Sequence, residues 1–135
     1  RVRFFEGISG LKTIQDEFLK TKENLIKSIA NVDDVLKLFP EHEKNYIPRR
    51  VQKGIHSRLI YTSSKEDFLK KTDAEMLRES KFIEHEKMTL SGDITIFGNK
   101  VKISSISKRP FGIIIESEEI AKSLGAVFDL LWEKI

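Results

Sequence analysis

The sequence predicts an α/β domain built on one central sheet. Three observations carry that reading. Asp93 to Ser117 holds three apolar strand-like runs around a tight turn at Gly98-Asn99-Lys100. The chain opens as strand, short turn and helix, the first half of a βαβ unit. It closes on an amphipathic helix that leaves directly from the last of the three runs.

In order, Val2 to Phe5 reads as a strand, and Glu6-Gly7 ends it because Gly tolerates a left-handed turn. A helix is expected from about Ser9, as N-cap, to Leu19, with Leu11, Ile14 and Phe18 on one stripe. Leu25 to Ala30 is the next strand. Asn31 to Pro40 reads either as a short helix started by Asp33-Asp34 or as a loop. Glu41 to Lys53 reads as a charged helix that Pro48 should kink or restart, closed by Gly54. Ile55 to Tyr61 alternates as a strand.

Ser63 with Glu66 three residues on fits a capping box, so a helix is expected through Phe68 and Leu69. Asp73 is expected to cap a further turn carrying Met76 and Leu77. Lys81 to Ile83 reads as a short strand and Glu84 to Ser91 as a loop. Ile94 and Ile96, then Val101 and Ile103, alternate across a hairpin, for which Gly98-Asn99 supplies the positive φ. Ile113-Ile114-Ile115 is continuous, as in a strand covered on both faces. Ser117 caps the last helix, whose apolar face carries Ile120, Leu124, Val127, Phe128, Leu131 and Ile135. Gly125 inside that helix suggests a close packing contact, since Gly weakens a helix interior.

The chain has 135 residues, which suits a single domain over 1–135. It is 39% hydrophobic with nine Phe, enough for a core. No apolar run approaches the ~18 residues of a membrane span. Cys is absent, which removes disulfides and thiolate metal sites and fits a cytoplasmic protein. The 24 Lys and Arg against 21 acids give +3, spread along the chain as on a solvated surface rather than clustered as in a nucleic-acid footprint. The first residue is Arg rather than Met, and the expectation is an excised domain with a neighbour on its N-terminal side.

Standard chemical motifs are missing. Gly7-Ile8-Ser9-Gly10 is too short for a phosphate loop. The residues one helical turn beyond His42 and His85 are Tyr46 and Thr89, so no zincin helix exists. His42, His56 and His85 are dispersed, and neither a metal nor a cofactor is expected. No Gly-x-Ser-x-Gly elbow is present. Arg49-Arg50 with Lys53 forms a basic cluster, either a solvated face or a contact for an anion or another domain. Glu-His-Glu-Lys occurs at 41–44 and again at 84–87 without similar surroundings, and reads as coincidence.

Several segments together resemble the C-terminal effector domain of TrmB-family transcriptional regulators. These are Val2-Arg3-Phe4-Phe5-Glu6-Gly7-Ile8, Tyr46-Ile47-Pro48-Arg49-Arg50-Val51-Gln52-Lys53-Gly54-Ile55, Met76-Leu77-Arg78-Glu79 and Phe97-Gly98-Asn99-Lys100-Val101, followed by Ile113-Ile114-Ile115-Glu116-Ser117 and Phe128-Asp129-Leu130-Leu131-Trp132. The resemblance spans the chain in order. It implies a mixed, mostly parallel sheet with helices on both faces, like one half of phospholipase D. It also implies a winged-helix DNA-binding domain N-terminal to this segment.

Phospholipase D halves carry His-x-Lys-x-x-x-x-Asp. Placing the Asp just before the hairpin turn aligns that motif with Ser91, Asp93 and Gly98, so all three catalytic groups are replaced. His56-x-Arg58 lies on another strand and has Ser63 at the Asp offset. Phosphodiester cleavage is therefore not expected. The vacated site is expected to survive as a pocket, with Asp93, Ser91 and Ser104 as hydroxyl-binding candidates and Glu6 and Glu116 at strand ends as others. Arg49 and Arg50 remain the candidates for an anion or docking contact.

The reading implied is an effector-sensing and dimerisation domain that binds a small polar metabolite such as a sugar, acts as a homodimer, and reaches DNA only through the further domain. The alternative is a docking or dimerisation module of the same fold without a small-molecule ligand. Direct DNA binding by this segment is the remaining reading, and it predicts steep salt dependence.

Overall fold

A computed structural model describes all 135 residues. The strands are β1 (Val2–Glu6), β2 (Leu25–Asn31), β3 (His56–Thr62), β4 (Arg78–Phe82), β5 (Asp93–Phe97), β6 (Lys100–Ser105) and β7 (Phe111–Glu116). The helices are α1 (Gly7–Phe18), α2 (Val32–Leu38), α3 (Tyr46–Gln52) and α4 (Glu118–Lys134). All seven strands join one sheet in the order β1-β7-β6-β5-β2-β3-β4. β5, β6 and β7 are neighbours, and β5 is the central strand of the seven, as the Asp93–Ser117 reading expects.

The sheet is mixed, but less of it is parallel than expected. Only the pairs β2·β3 and β3·β4 run parallel. The β1·β7, β6·β7, β5·β6 and β2·β5 pairs are antiparallel. The reason is local: short connections after Phe97 and Ser105 leave no room for crossovers, so the chain returns as hairpins.

Helices cover both faces, as expected. Leu11, Ile14 and Phe18 of α1 and Tyr46 and Ile47 of α3 pack with Ile26, Phe97 and Ile114 on one face. Ala121 and Phe128 of α4 pack with Ile29, Ile60, Ile96 and Val101 on the other. A smaller cluster of Val32, Tyr61 and Leu69 closes the end where the parallel strands finish.

Several local expectations are corrected. α1 starts at Gly7, two residues before Ser9, and its N-cap residue Glu6 makes no side-chain capping bond. The turn is fixed instead by Gly7 at φ +70° and by its N–H donating to the Pro110 carbonyl at 2.8 Å. α2 exists, capped by Asn31 accepting from the Asp34 N–H. Residues 40–45 are turn, and the charged helix is confined to α3. Pro48 falls in its first turn, where a missing N–H costs nothing. α3 ends in a Schellman motif, with Ile55 N–H to the Arg50 carbonyl and Gly54 N–H to the Val51 carbonyl.

No helix follows Ser63. Its hydroxyl accepts from the Lys65 N–H, and Glu66 sits at φ +56°, which a helix cannot continue. Only a 3₁₀ turn, Lys70–Thr72, forms there. Asp73 starts no capped helix. Its carboxylate instead accepts from the Ser80 N–H and the Arg78 side chain, which lets β4 begin three residues earlier than expected. A Cβ placed on Gly125 would meet nothing within 4 Å, so no close contact explains that glycine.

Candidate functional site

Alternation decides what the central strands present. Ile96 of β5 and Val101 of β6 face α4, so Asp93, Thr95, Lys102 and Ser104 face α1 and α3. Ser28 of β2 joins them. On an edge strand such residues would meet water. Here both faces are covered, and a polar floor lies under a largely apolar roof.

The cavity above that floor holds about 120 Å³. Leu11 and Ile14 of α1, Val35 and Leu36 of α2, and Tyr46 and Ile47 of α3 form its walls, with His42 from the preceding turn. The floor is one hydrogen-bonded network. The Lys102 ammonium donates to Asp93 at 2.5 Å and to Ser104 Oγ at 3.3 Å, and the Ser104 hydroxyl donates to Asp93 as well. The register explains the meeting, since Asp93 lies directly opposite Ser104 and Lys102 lies two residues along the same face. Ser28 Oγ and Thr95 Oγ1 share a bond of 3.0 Å alongside. Lys102 also lies 5.5 Å from the Phe18 ring, a cation–π contact that helps hold a buried cation. Its side chain is only 6% exposed. Gly92 supports the corner: it adopts φ +104°, and a Cβ there would come within 2.2 Å of the Ser104 carbonyl oxygen.

The rim carries further polar groups. His42 stacks on Tyr46 and lies 3.4 Å from the Gln15 amide. Burial, aided by the Arg50 and Arg78 cations, pushes the His42 imidazole down to about 4. It is therefore neutral near pH 7. Arg50 is 3% exposed and has no carboxylate partner. Its guanidinium donates to the carbonyls of Ile55, Met76 and Leu77, tying the end of α3 to the turn before β4.

Of the residues singled out by sequence, Asp93 and Ser104 meet in this cavity, and Arg50 lines its edge. Ser91 is exposed and lies outside the lining, as do Glu6 and Glu116. Arg49 is on the surface, paired with Asp16 at 3.0 Å. Sequence reasoning missed Lys102, Ser28, Thr95 and His42. For Lys102 the signal was available: alternation puts it on the same face as Ser104, in a strand read as central to the sheet.

The sequence matches no protein-family model, and no curated protein is similar enough to count as a relative. Solved structures do match. One is TrmBL2, described as an archaeal chromatin protein with a novel mode of DNA binding, at TM-score 0.68 and 16% identity over 99% of this chain. This chain spans about half of TrmBL2, 53% of its length. NucT from Helicobacter pylori matches at TM-score 0.71 and 11% identity, over 98% of this chain and 96% of NucT. Nuc from Salmonella typhimurium, a phospholipase D family member, matches at 0.66 and 9%, over 98% of this chain and 94% of Nuc.

The chain is thus an α/β domain with a phospholipase D-like fold. That fold is also the one found in TrmBL2, so the TrmB-like architecture read from the sequence holds at the level of fold. No helix is long and apolar enough to cross a membrane.

Proposed function

We propose that this chain is the effector-sensing and dimerisation domain of a TrmB-like transcriptional regulator, and that a small polar metabolite binds on the Asp93–Lys102–Ser104 floor. One observation carries the reading: a connected set of buried donors and acceptors lies at the base of a cavity with apolar walls, the usual composition of a ligand site. Asp93 would accept a hydroxyl or ammonium proton, Lys102 would donate to an oxygen, and Ser28, Thr95 and Ser104 would complete the set. A sugar is the class the sequence resemblance suggests. At about 120 Å³ the cavity is smaller than the roughly 150 Å³ that admits benzene. A hexose would therefore displace α2 and the 40–45 turn, and that movement would carry the signal.

No catalysis is proposed. Ser91, Asp93 and Gly98 stand where the phospholipase D motif would place His, Lys and Asp, and Asp93 puts an anion where a phosphate needs a cation. DNA is reached through a further domain, and the active form is a dimer.

The test is thermal stabilisation and calorimetry across a panel of sugars and small metabolites. A ligand at a hundredfold excess over its dissociation constant adds about 2.7 kcal/mol. Asp93→Asn should abolish that shift. If no compound stabilises the chain, the second reading takes its place. That reading is a docking or dimerisation module without a ligand, and it is favoured by the small cavity and by the exposed Val2, Phe4 and Val127. Cleavage of a model phosphodiester would overturn both.

A further inference from the structure

The cavity beneath α1 and α3 holds more positive charge than its own contacts use. Arg50, Arg78 and Lys102 all line it. Lys102 is paired with Asp93, and Arg78 with Asp73. Arg50 has no carboxylate partner. The other acid in the lining, Glu43, is exposed at the rim. One cation therefore stands uncompensated inside, on a residue that is 3% exposed. A buried charge without a counter-charge is costly.

Arg50 also has donors to spare. A guanidinium carries five N–H groups. Here Nη1 donates to the Ile55 and Leu77 carbonyls and Nη2 to the Met76 carbonyl, which leaves the Nε–H and one Nη2 hydrogen without a protein acceptor. The unpartnered atoms that are sealed from solvent in this chain are Arg3 Nε and Thr62 Oγ1. Arg50 Nε is not one of them, so solvent reaches it. Of the three larger hollows in the molecule, Arg50 lines only this cavity. Its three carbonyl bonds hold the group still, which is the pre-organisation that a recognition site needs.

His42 lies in the resulting field. Beyond burial, Arg50, Arg78 and Lys102 all hold its imidazole down, and Asp93 alone opposes them. Only one charge is in excess, so the missing partner is a monoanion. The flat fork of a guanidinium matches a carboxylate. A phosphate monoester carries about −1.5 to −2 at pH 7, and Asp93 would repel the surplus.

The length of the ligand follows from the sheet. The cavity crosses five neighbouring strands, from Ser104 on β6 to Arg78 on β4. Arg50 is anchored just before β3 and β4, and the polar floor lies on β5 and β6. At about 4.8 Å per strand, β3 and β6 are about 14 Å apart. The Arg50 and Lys102 side chains each reach into that gap, and what remains suits a molecule of about six carbons. Resting on the reading that this cavity takes a polar ligand, we propose that the ligand is a sugar acid rather than a neutral sugar, with its carboxylate on Arg50 and its hydroxyl groups on the Asp93–Lys102–Ser104 floor. Like a hexose, it enters by moving α2 and the 40–45 turn aside.

The experiment is calorimetry and amide chemical-shift mapping of the full chain with two matched pairs at equal ionic strength. The pairs are glucuronate with glucose and gluconate with sorbitol, in which a carboxylate replaces a hydroxymethyl group. The expected result is saturable binding of at least one acid, about tenfold or more tighter than its neutral counterpart, since a charge-assisted fork is added. Shifts should appear both at 50–57 and at 93–104. Arg50→Gln should bring the acid down to the level of its neutral counterpart and leave the neutral compound unchanged. Asp93→Asn should weaken acid and neutral compound alike. The comparison within each pair needs no variant, so it decides the matter even where Arg50→Gln does not fold. Neutral compounds that bind as tightly as their acids would overturn the carboxylate contact and leave the polar-ligand reading standing. An acid weakened by Arg50→Gln but untouched by Asp93→Asn would remove the floor from the site instead. The proposal is also overturned if neither acid binds saturably at millimolar concentration, or if acetate or inorganic phosphate binds as tightly as the acids, which would mark a simple anion site.

Discussion

Lys102 is the residue on which the candidate site turns. It is a cation inside a core, held by Asp93, Ser104 and the face of Phe18. Removing one member of a buried pair is far more costly than removing both, because the survivor keeps an unpaired charge away from water. Lys102→Met should therefore cost about 3 kcal/mol in urea unfolding, and Asp93→Asn added to it should recover much of the loss. Equal destabilisation by the single and double variants would mean that the pair is not the constraint. His42 gives a pH signature. Its folded value is about 4, against about 6.5 unfolded. The unfolded chain thus binds a proton more readily, and the stability that His42 contributes is complete above about pH 6.5 and is lost as pH falls through 4. The groups facing it are Arg50, Arg78 and Lys102, which lower the value, and Asp93, which opposes them. His42 keeps some solvent contact, so the loss belongs at the lower part of a range on the order of 1–3 kcal/mol. Wild type should lose more stability between pH 7 and pH 4 than His42→Gln does. Parallel curves for the two would rule out this histidine as the titrating group. At this scale the sequence was half legible. Asp93 and Ser104 stood out as polar residues in a buried hairpin, whereas His42 lies in a turn whose packing against α1 is a tertiary fact.

Elements were read best where a period and a cap agreed. α4 is the clearest case, because Ser117 accepts from the Ile120 N–H and two acids follow in the first turn. Its apolar face is wider than the sheet beneath it, so Ile120 and Val127 remain 41% and 58% exposed. The reading failed where the same residue types serve two conformations. Ser63 and Glu66 have capping-box spacing, yet the Ser63 hydroxyl is engaged by the Lys65 N–H and by Asp33. A glycine mid-helix invites the opposite error. Gly125 looked like a contact point, but open space surrounds the position of its missing Cβ. Gly125→Ala should raise stability by about 1 kcal/mol, since only helix propensity changes. A loss of stability in thermal or urea unfolding would show that the glycine serves something outside this chain's own packing.

At the scale of the whole molecule, the strand order explains what sequence could not supply. The antiparallel seam between β2 and β5 joins residues far apart in the chain, and no local pattern announces it. That seam places β1 at the outer edge, paired on one side only with β7. α4 packs over β5 and β6, which leaves the neighbouring sheet face bare. Val2 and Phe4 are 66% and 60% exposed there, and Phe4 stacks on Phe111 at 5.5 Å. An unpaired edge with an apolar face is a template for another strand. The occupant that fits is a second copy. Antiparallel pairing of β1 with itself about Phe4 sets Phe4 against Phe4 and Val2 of each copy opposite Glu6 of the other. The same contact makes one continuous sheet and covers both apolar faces, as a two-fold interface requires. The dimer proposed above should therefore form through β1. Phe4→Lys should raise its dissociation constant about tenfold or more in sedimentation equilibrium, from the loss of one buried aromatic on each side. Its effect on the unfolding of the monomer should be small, because Phe4 is already largely exposed. A chain that sediments as a monomer at every concentration, or a Phe4→Lys dimer as tight as wild type, would exclude this edge as the interface.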